Sequence, residues 1–287
     1  MKIKEILAKK TPTISFEIFP PNARMTLNQV MSAAAAMAVQ KPDFMSVTYG
    51  AAGGTKANTV KIASGLQEFF GIPSIAHLTC VATDKEQVKA IALEMKEAGI
   101  ENVLALRGDV PEGMTYPSPD RYAHASELVE QIRSLGDFCI GGACYPEGHV
   151  EAESREEDIR HLKEKVDAGC DFLTTQMFFD NDLFRDYLYR IREQGILVPV
   201  LAGIMPVTNA AQLRRIHSLS GACLPKRFER LVERFGGRPE AMMQAGVAYA
   251  VEQIIDLIAS GVSGIHVYTM NRPEVAARIV GSLKDIL

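Results

Sequence analysis

A glutamate sits inside what reads as a β-strand. The stretch Thr13 to Pro21, TISFEIFPP, is rich in β-branched and aromatic residues, yet Glu17 falls in its middle. A buried carboxylate without a partner costs several kcal/mol or takes up a proton. Glu17 therefore reads as a proton donor or as half of an ion pair, with Arg107 or Arg272 as the partner. Other residues of chemical interest close similar runs: Thr48 and Tyr49, Arg107, Gly108 and Asp109, Tyr145 with His149 beyond it, Gln176, and Tyr268 followed by Asn271 and Arg272. Each has a plainer reading. Asp109 could be a solvated loop acid, Gln176 an internal hydrogen-bonding amide, and His77 a satisfied core histidine. Asp158, His161 and Lys165 follow i, i+3, i+7 spacing and share one helix face, opposite Ile159, Leu162 and Val166. That face is either a solvated stripe or a grip on the hydroxyl and phosphate groups of a nucleotide. No histidine or cysteine spacing supports a metal site. The loop YGAAGGTKANT (49–59) places Thr55 before Lys56 where a triphosphate loop needs lysine directly after glycine. It reads instead as a turn that lets backbone approach a ligand, with Thr55 or Asn58 capping the next helix.

The elements that must position these groups come from hydrophobic periodicity. Eight short β-rich runs recur: 13–19, 44–49, 74–80, 102–108, 139–145, 172–179, 198–206 and 264–270. Helical segments separate them, as in DKEQVKAIALEMKEAG (84–99), where Val88, Ile91, Leu93 and Met95 approximate an apolar face. Several helices end at a glycine, Gly99, Gly169, Gly195 or Gly261, in the C-cap manner. Eight βα units predict a (β/α)8 barrel, in which function gathers at the C-terminal ends of the strands. An open doubly wound sheet is the weaker alternative, because no GxGxxG follows the first strand. Residues 1–287 read as one catalytic barrel domain, opened by a short capping helix and carrying extra helical material at about 221–238.

The 287 residues, 47% hydrophobic, supply a sizeable core. A net charge of −4 argues against nucleic acid or an anionic membrane as the main partner. The N-terminus lacks the apolar stretch of a secretory signal. Five cysteines, an odd number without a CxxC, read as reduced thiols of a cytoplasmic protein. Cys139 and Cys144, five apart on one strand, should face opposite sides.

The motifs SFEIFPP, SVTYGA, HLTC, ALRGD, ACYPEGH, KVDAGCDFLTTQMFFD, AGIMPV and HVYTMNR run in order along nearly the whole chain. Together they resemble the methylenetetrahydrofolate reductase family. The resemblance implies a barrel that binds FAD without a covalent link. It implies ping-pong hydride transfer from NAD(P)H through the flavin to methylenetetrahydrofolate, giving 5-methyltetrahydrofolate. By position, Glu17 matches the family's general acid, which must be protonated at working pH to assist opening of the imidazolidine ring to an iminium. Asp109 matches an acid beside flavin and pterin, whose charge stabilises that cation. Gln176, Gln212, Tyr268 and Arg272 fall where folate or nicotinamide is held. Thr48, His77, Arg107, Gly108, Asp109, Tyr122, Ala123, Ala143, Tyr145, His149, Asp158 and Lys165 fall at flavin contacts.

Departures accompany the match. His161 and Glu164 stand where some members carry asparagine and a basic residue. Ile216 replaces a phenylalanine that stacks on the nicotinamide in some NADH-using members. A flavin-binding subunit that takes electrons from a protein partner is therefore an alternative, and a non-flavin folate-binding barrel a remoter one. The family tends to oligomerise. No regulatory domain follows the barrel, so inhibition by adenosylmethionine through such a domain is not expected.

Overall fold

The computed structural model describes residues 1–49, 56–81, 83–111, 113–213 and 223–287, with the side chains of residues 56 and 57 left aside. Eight parallel strands close into a barrel in sequence order. They are β1 (Thr13–Ile18), β2 (Phe44–Val47), β3 (Ser74–Thr79), β4 (Asn102–Leu106), β5 (Cys139–Cys144), β6 (Phe172–Thr175), β7 (Val200–Ile204) and β8 (Gly264–Val267). The described helices are α1 (Ile3–Lys9), α2 (Leu27–Ala38), α3 (Lys56–Phe70), α4 (Lys85–Glu97), α5 (Ala125–Leu135) and α6 (Arg155–Asp167). They continue with α7 (Asn181–Glu193), α8 (Lys226–Phe235), α9 (Pro239–Ala259) and α10 (Pro273–Ser282). The predicted barrel is thus the observed one, and α8 supplies helical material within the predicted insert.

Alternation along the strands builds two cores. Outward residues such as Phe16, Ile18, Val47, Leu78 and Val103 pack against the helices. Inward residues near the N-terminal end, Phe44, Ile75, Leu104, Cys139, Phe172 and Leu201, form a second cluster with Ile3, Ile6 and Leu7 of α1. The first helix is therefore a plug. Its Ile3 N–H donates to Asn102 Oδ1 at 2.8 Å, and Lys4 Nζ meets Asp171 at 3.0 Å. Gly141 lies over this layer, where an added Cβ would come within 2.4 Å of the Phe172 ring. Cys139 joins the inner cluster and Cys144 the outer one, so they do face opposite sides. Four cysteines are buried and Cys223 is exposed.

Three local expectations change. The strands stop earlier than the apolar runs: β4 ends at Leu106 and β6 at Thr175, because the residues beyond bend into mouth loops where parallel pairing ceases. On α4 the buried positions are Val88, Ala92 and Met95, while Leu93 is 46% exposed. At about 100° per residue, Leu93 lies roughly 140° around the helix from Val88. Asn58 lies within α3 and cannot cap its start, and Thr55 falls outside the described residues. The four C-cap glycines all have positive φ, between +72° and +124°.

Candidate functional site

Glu17 points into the barrel one pleat above the apolar plug and is only 6% exposed. Sheet register fixes its company: Glu17 pairs across β1–β2 with Ser46, and Ser15 pairs across β1–β8 with His266. Its carboxyl oxygen Oε2 lies 3.7 Å from His77 Nε2 and 3.7 Å from His266 Nε2. The arginine partners foreseen from sequence are engaged elsewhere, Arg107 with Glu151 and Arg272 with Glu274. Among the described residues, the ion-pair-range neighbours of Glu17 are these two histidines. Burial pushes His77 down to about 4 against the opposing pull of Glu17, and the neighbouring His266 adds to the drop. Its Nε2 has no hydrogen-bond partner among the described residues.

The backbone beneath Glu17 is clamped. Thr269 Oγ1 donates to Glu17 O at 2.8 Å. Asn271 closes a two-way contact with Phe19, accepting its N–H at 2.8 Å and donating to its carbonyl at 2.9 Å. Met270 and Asn271 both sit at φ +55°, so the chain turns sharply to deliver these groups. Tyr268 reaches across Gly203 to donate to Thr175 O at 2.6 Å. A Cβ at Gly203 would lie 2.7 Å from that hydroxyl, so only glycine leaves the path open.

A second sector, built from the ends of β4 and β5 and from α6, carries charge. Arg107 makes a two-pronged contact with Glu151, and Glu151 N–H donates to His149 Nδ1 at 3.2 Å. The Tyr145 and His149 rings meet edge to face at 4.7 Å. Burial, aided by Asp158, pushes the Tyr145 phenol up to about 12. Lys165 donates to Ala143 O. Burial raises the Asp158 carboxyl against the opposing charges of Lys165 and His149. The α6 stripe is therefore not uniformly solvated: Asp158 and Lys165 turn inward, while His161 and Glu164 are exposed. Asp109 is exposed just beyond Gly108, close enough for its charge to act on Tyr145.

The remaining expected residues occupy the other mouth loops. Gln176 is exposed, with its carboxamide oxygen accepting Met177 N–H at 3.0 Å. Gln212 and Arg272 are joined through Thr208, whose N–H donates to Gln212 Oε1 at 3.1 Å and whose hydroxyl accepts from Arg272. Thr48, just past β2, accepts from Thr59 Oγ1 at 3.0 Å. Tyr122 and Ala123 stand before α5, their carbonyls taken by the Tyr116 hydroxyl at 2.6 and 2.8 Å. Ile216 and residues 50–55 of the glycine-rich loop lie outside the described residues.

Sequence reasoning missed His266, Ser15, Ser46, Thr208 and Glu151. His266 had a legible signal: in GIHVYTM it shares strand parity with Tyr268, so both face inward.

Residues 2–284 match the family model described as methylenetetrahydrofolate reductase. The chain belongs to the methylenetetrahydrofolate reductase family. It is 36% identical over 271 residues to the 5,10-methylenetetrahydrofolate reductase of Pectobacterium carotovorum, covering 94% of this chain and 89% of that one. The Escherichia coli enzyme of the same name is 33% identical over 94% of this chain and 90% of its own. Among solved structures, a Clostridium thermocellum protein described as binding two copies of 5-methyl-5,6,7,8-tetrahydrofolic acid superposes with a TM-score of 0.64 at 14% identity, with complete coverage of both chains. That likeness is one of fold.

Proposed function

We propose that this chain, acting as one catalytic barrel, reduces 5,10-methylenetetrahydrofolate to 5-methyltetrahydrofolate by ping-pong hydride transfer from NAD(P)H, with FAD held at the strand C-termini. Family membership supports the substrate, and the observation that carries the chemistry is Glu17: a carboxyl inside the barrel mouth, flanked by two imidazoles, with no lysine or arginine in ion-pair range among the described residues. FAD would supply the hydride relay from nicotinamide to folate. The donor set suits it, since Arg107 and Lys165 can face a pyrophosphate and the unpartnered His77 Nε2 offers a polar atom to a ring.

Glu17 then gives its proton to the folate N10 as the N10–methylene bond breaks, leaving a cationic iminium at N5. Asp109 places a negative charge where that cation forms. Hydride addition to the methylene carbon completes the methyl group, and Glu17 regains a proton for the next turnover. Gln176, Tyr268, and Gln212 with Arg272 line the folate side.

Stopped-flow measurement of the two half-reactions tests this. Glu17→Gln should leave flavin reduction by NAD(P)H largely intact and slow flavin oxidation by methylenetetrahydrofolate by about 10²-fold or more. Equal loss in both halves would refute the acid role. A flavin that no nicotinamide reduces would refute the donor.

A further inference from the structure

The barrel interior beside Glu17 contains a hydrogen-bond chain whose direction can be worked out. Ser15 Oγ lies 3.1 Å from Ile265 O and 2.8 Å from His266 Nδ1. A carbonyl only accepts, so the single hydroxyl proton of Ser15 goes to Ile265 O. Both contacts are made at once only when the ring supplies the proton of the shorter one, which is the Nδ1–H tautomer. That leaves Nε2 as the accepting nitrogen. It faces Ser46 Oγ at 3.2 Å and Glu17 Oε2 at 3.7 Å.

We propose that His266 is a positioning residue for the general acid: Ser15 locks its tautomer so that the Nε2 lone pair faces Glu17 and accepts the O–H of its protonated carboxyl. The inference rests on the reading of Glu17 as the acid. The contact at 3.7 Å closes to hydrogen-bond range by a side-chain shift of under about 1 Å. When Glu17 has given its proton to the substrate, the Nε2 lone pair offers no donor to the carboxylate left behind, which favours return of the proton to Glu17. The other groups around Glu17 reinforce this. His77, on β3, is kept neutral by burial down to about pH 4. Tyr268 is held well above the ordinary phenol range by burial, with the Glu17 charge adding to it. Ser46, on β2, is the competitor: its Oγ lies 3.2 Å from the same nitrogen, whose single lone pair serves one donor at a time, so its hydroxyl must turn away for Glu17 to donate. No lysine or arginine ion pair reaches Glu17 among the described residues.

Two measurements test the proposal. The first is 15N NMR of histidine-labelled protein, with His266→Gln used to assign the signal. The expected result is a ring protonated at Nδ1 and bare at Nε2; a ring protonated at Nε2 overturns the proposal without any activity assay. The second is the pH profile of the folate half-reaction in Ser15→Ala, which frees the ring to turn its proton toward the carboxylate. The falling limb at high pH should move down by about one pH unit, a tenfold loss above the limb, with the low-pH plateau kept. Ser15→Thr, which keeps the hydroxyl, should restore the limb. A plateau lowered equally at every pH, together with slowed flavin reduction, would show a structural role only and overturn the proposal. Failure of the underlying reading looks different: Glu17→Gln would then leave the folate step intact, whatever the tautomer.

Discussion

Two neighbouring layers of this barrel differ in almost every chemical respect. Phe44, Ile75 and Leu201 belong to the apolar layer sealed by α1. Two residues further along the same strands stand Ser46, His77 and Gly203, at the level of Glu17 and His266. The strand period of two keeps each pair on the inward face. One pleat therefore separates a layer that holds the barrel shut from a layer that handles a proton. The lower layer lets the upper one be polar, because the N-terminal plug and the rings of Phe44 and Phe172 keep water from entering below. A carboxyl flanked by imidazoles is tolerable where hydroxyls and backbone carbonyls complete its surroundings.

Breaking the lower layer should give the largest stability effect. Phe172 is fully buried and its ring occupies the space that Gly141 leaves. Phe172→Ala should destabilise the chain by about 3–5 kcal/mol, through lost burial and a residual cavity. Chemical denaturation followed by circular dichroism would measure it. A change below about 1 kcal/mol would mean that the plug does not depend on that ring.

The upper layer should show itself in the pH dependence of stability. The folded-state value of His77 is about 4 against an ordinary 6.5. Between those values the unfolded chain binds a proton that the folded one does not, so stability rises with pH there. The contribution is full above about pH 6.5 and is lost as pH falls toward 4, amounting to something of order 3 kcal/mol. Denaturation at a series of pH values should show the slope, and His77→Asn should flatten it. An unchanged slope in the variant would assign the acid sensitivity to other groups.

The two layers were unequally legible in the sequence. Eight alternating runs made the barrel readable, since apolar alternation is a local signal. The identity of Glu17 as an inward acid was readable for the same reason. Its neighbours were not. His77 and His266 reach it through β3 and β8, sixty and some two hundred and fifty positions away along the chain, a closeness that only ring closure creates. Two arginines at other strand ends looked like the natural partners for an acid, yet their side chains leave the barrel axis for nearer carboxylates, Glu151 and Glu274. Strand ends were overestimated where apolar residues such as Met177, Phe178 and Phe179 continue the run after parallel pairing has stopped.

The rim offers the smallest effect and sharpens the contrast from the other side. Unlike the buried Glu17 layer, the Arg107–Glu151 contact is partly in water, with side-chain exposures of 22% and 56%. An ion pair of that kind is worth roughly 0–1 kcal/mol. Under the proposed function the same guanidinium faces flavin phosphate, so Glu151 competes for it. Glu151→Gln should therefore tighten FAD binding by at most about fivefold, the factor that corresponds to 1 kcal/mol. Fluorescence titration of the apoprotein would read it, and the pH profile of the folate step should not move. If FAD bound more weakly to the variant, Glu151 would be holding Arg107 in its working position and not competing for it. A shift in the folate profile would mean that the rim charge also acts on the Glu17 layer.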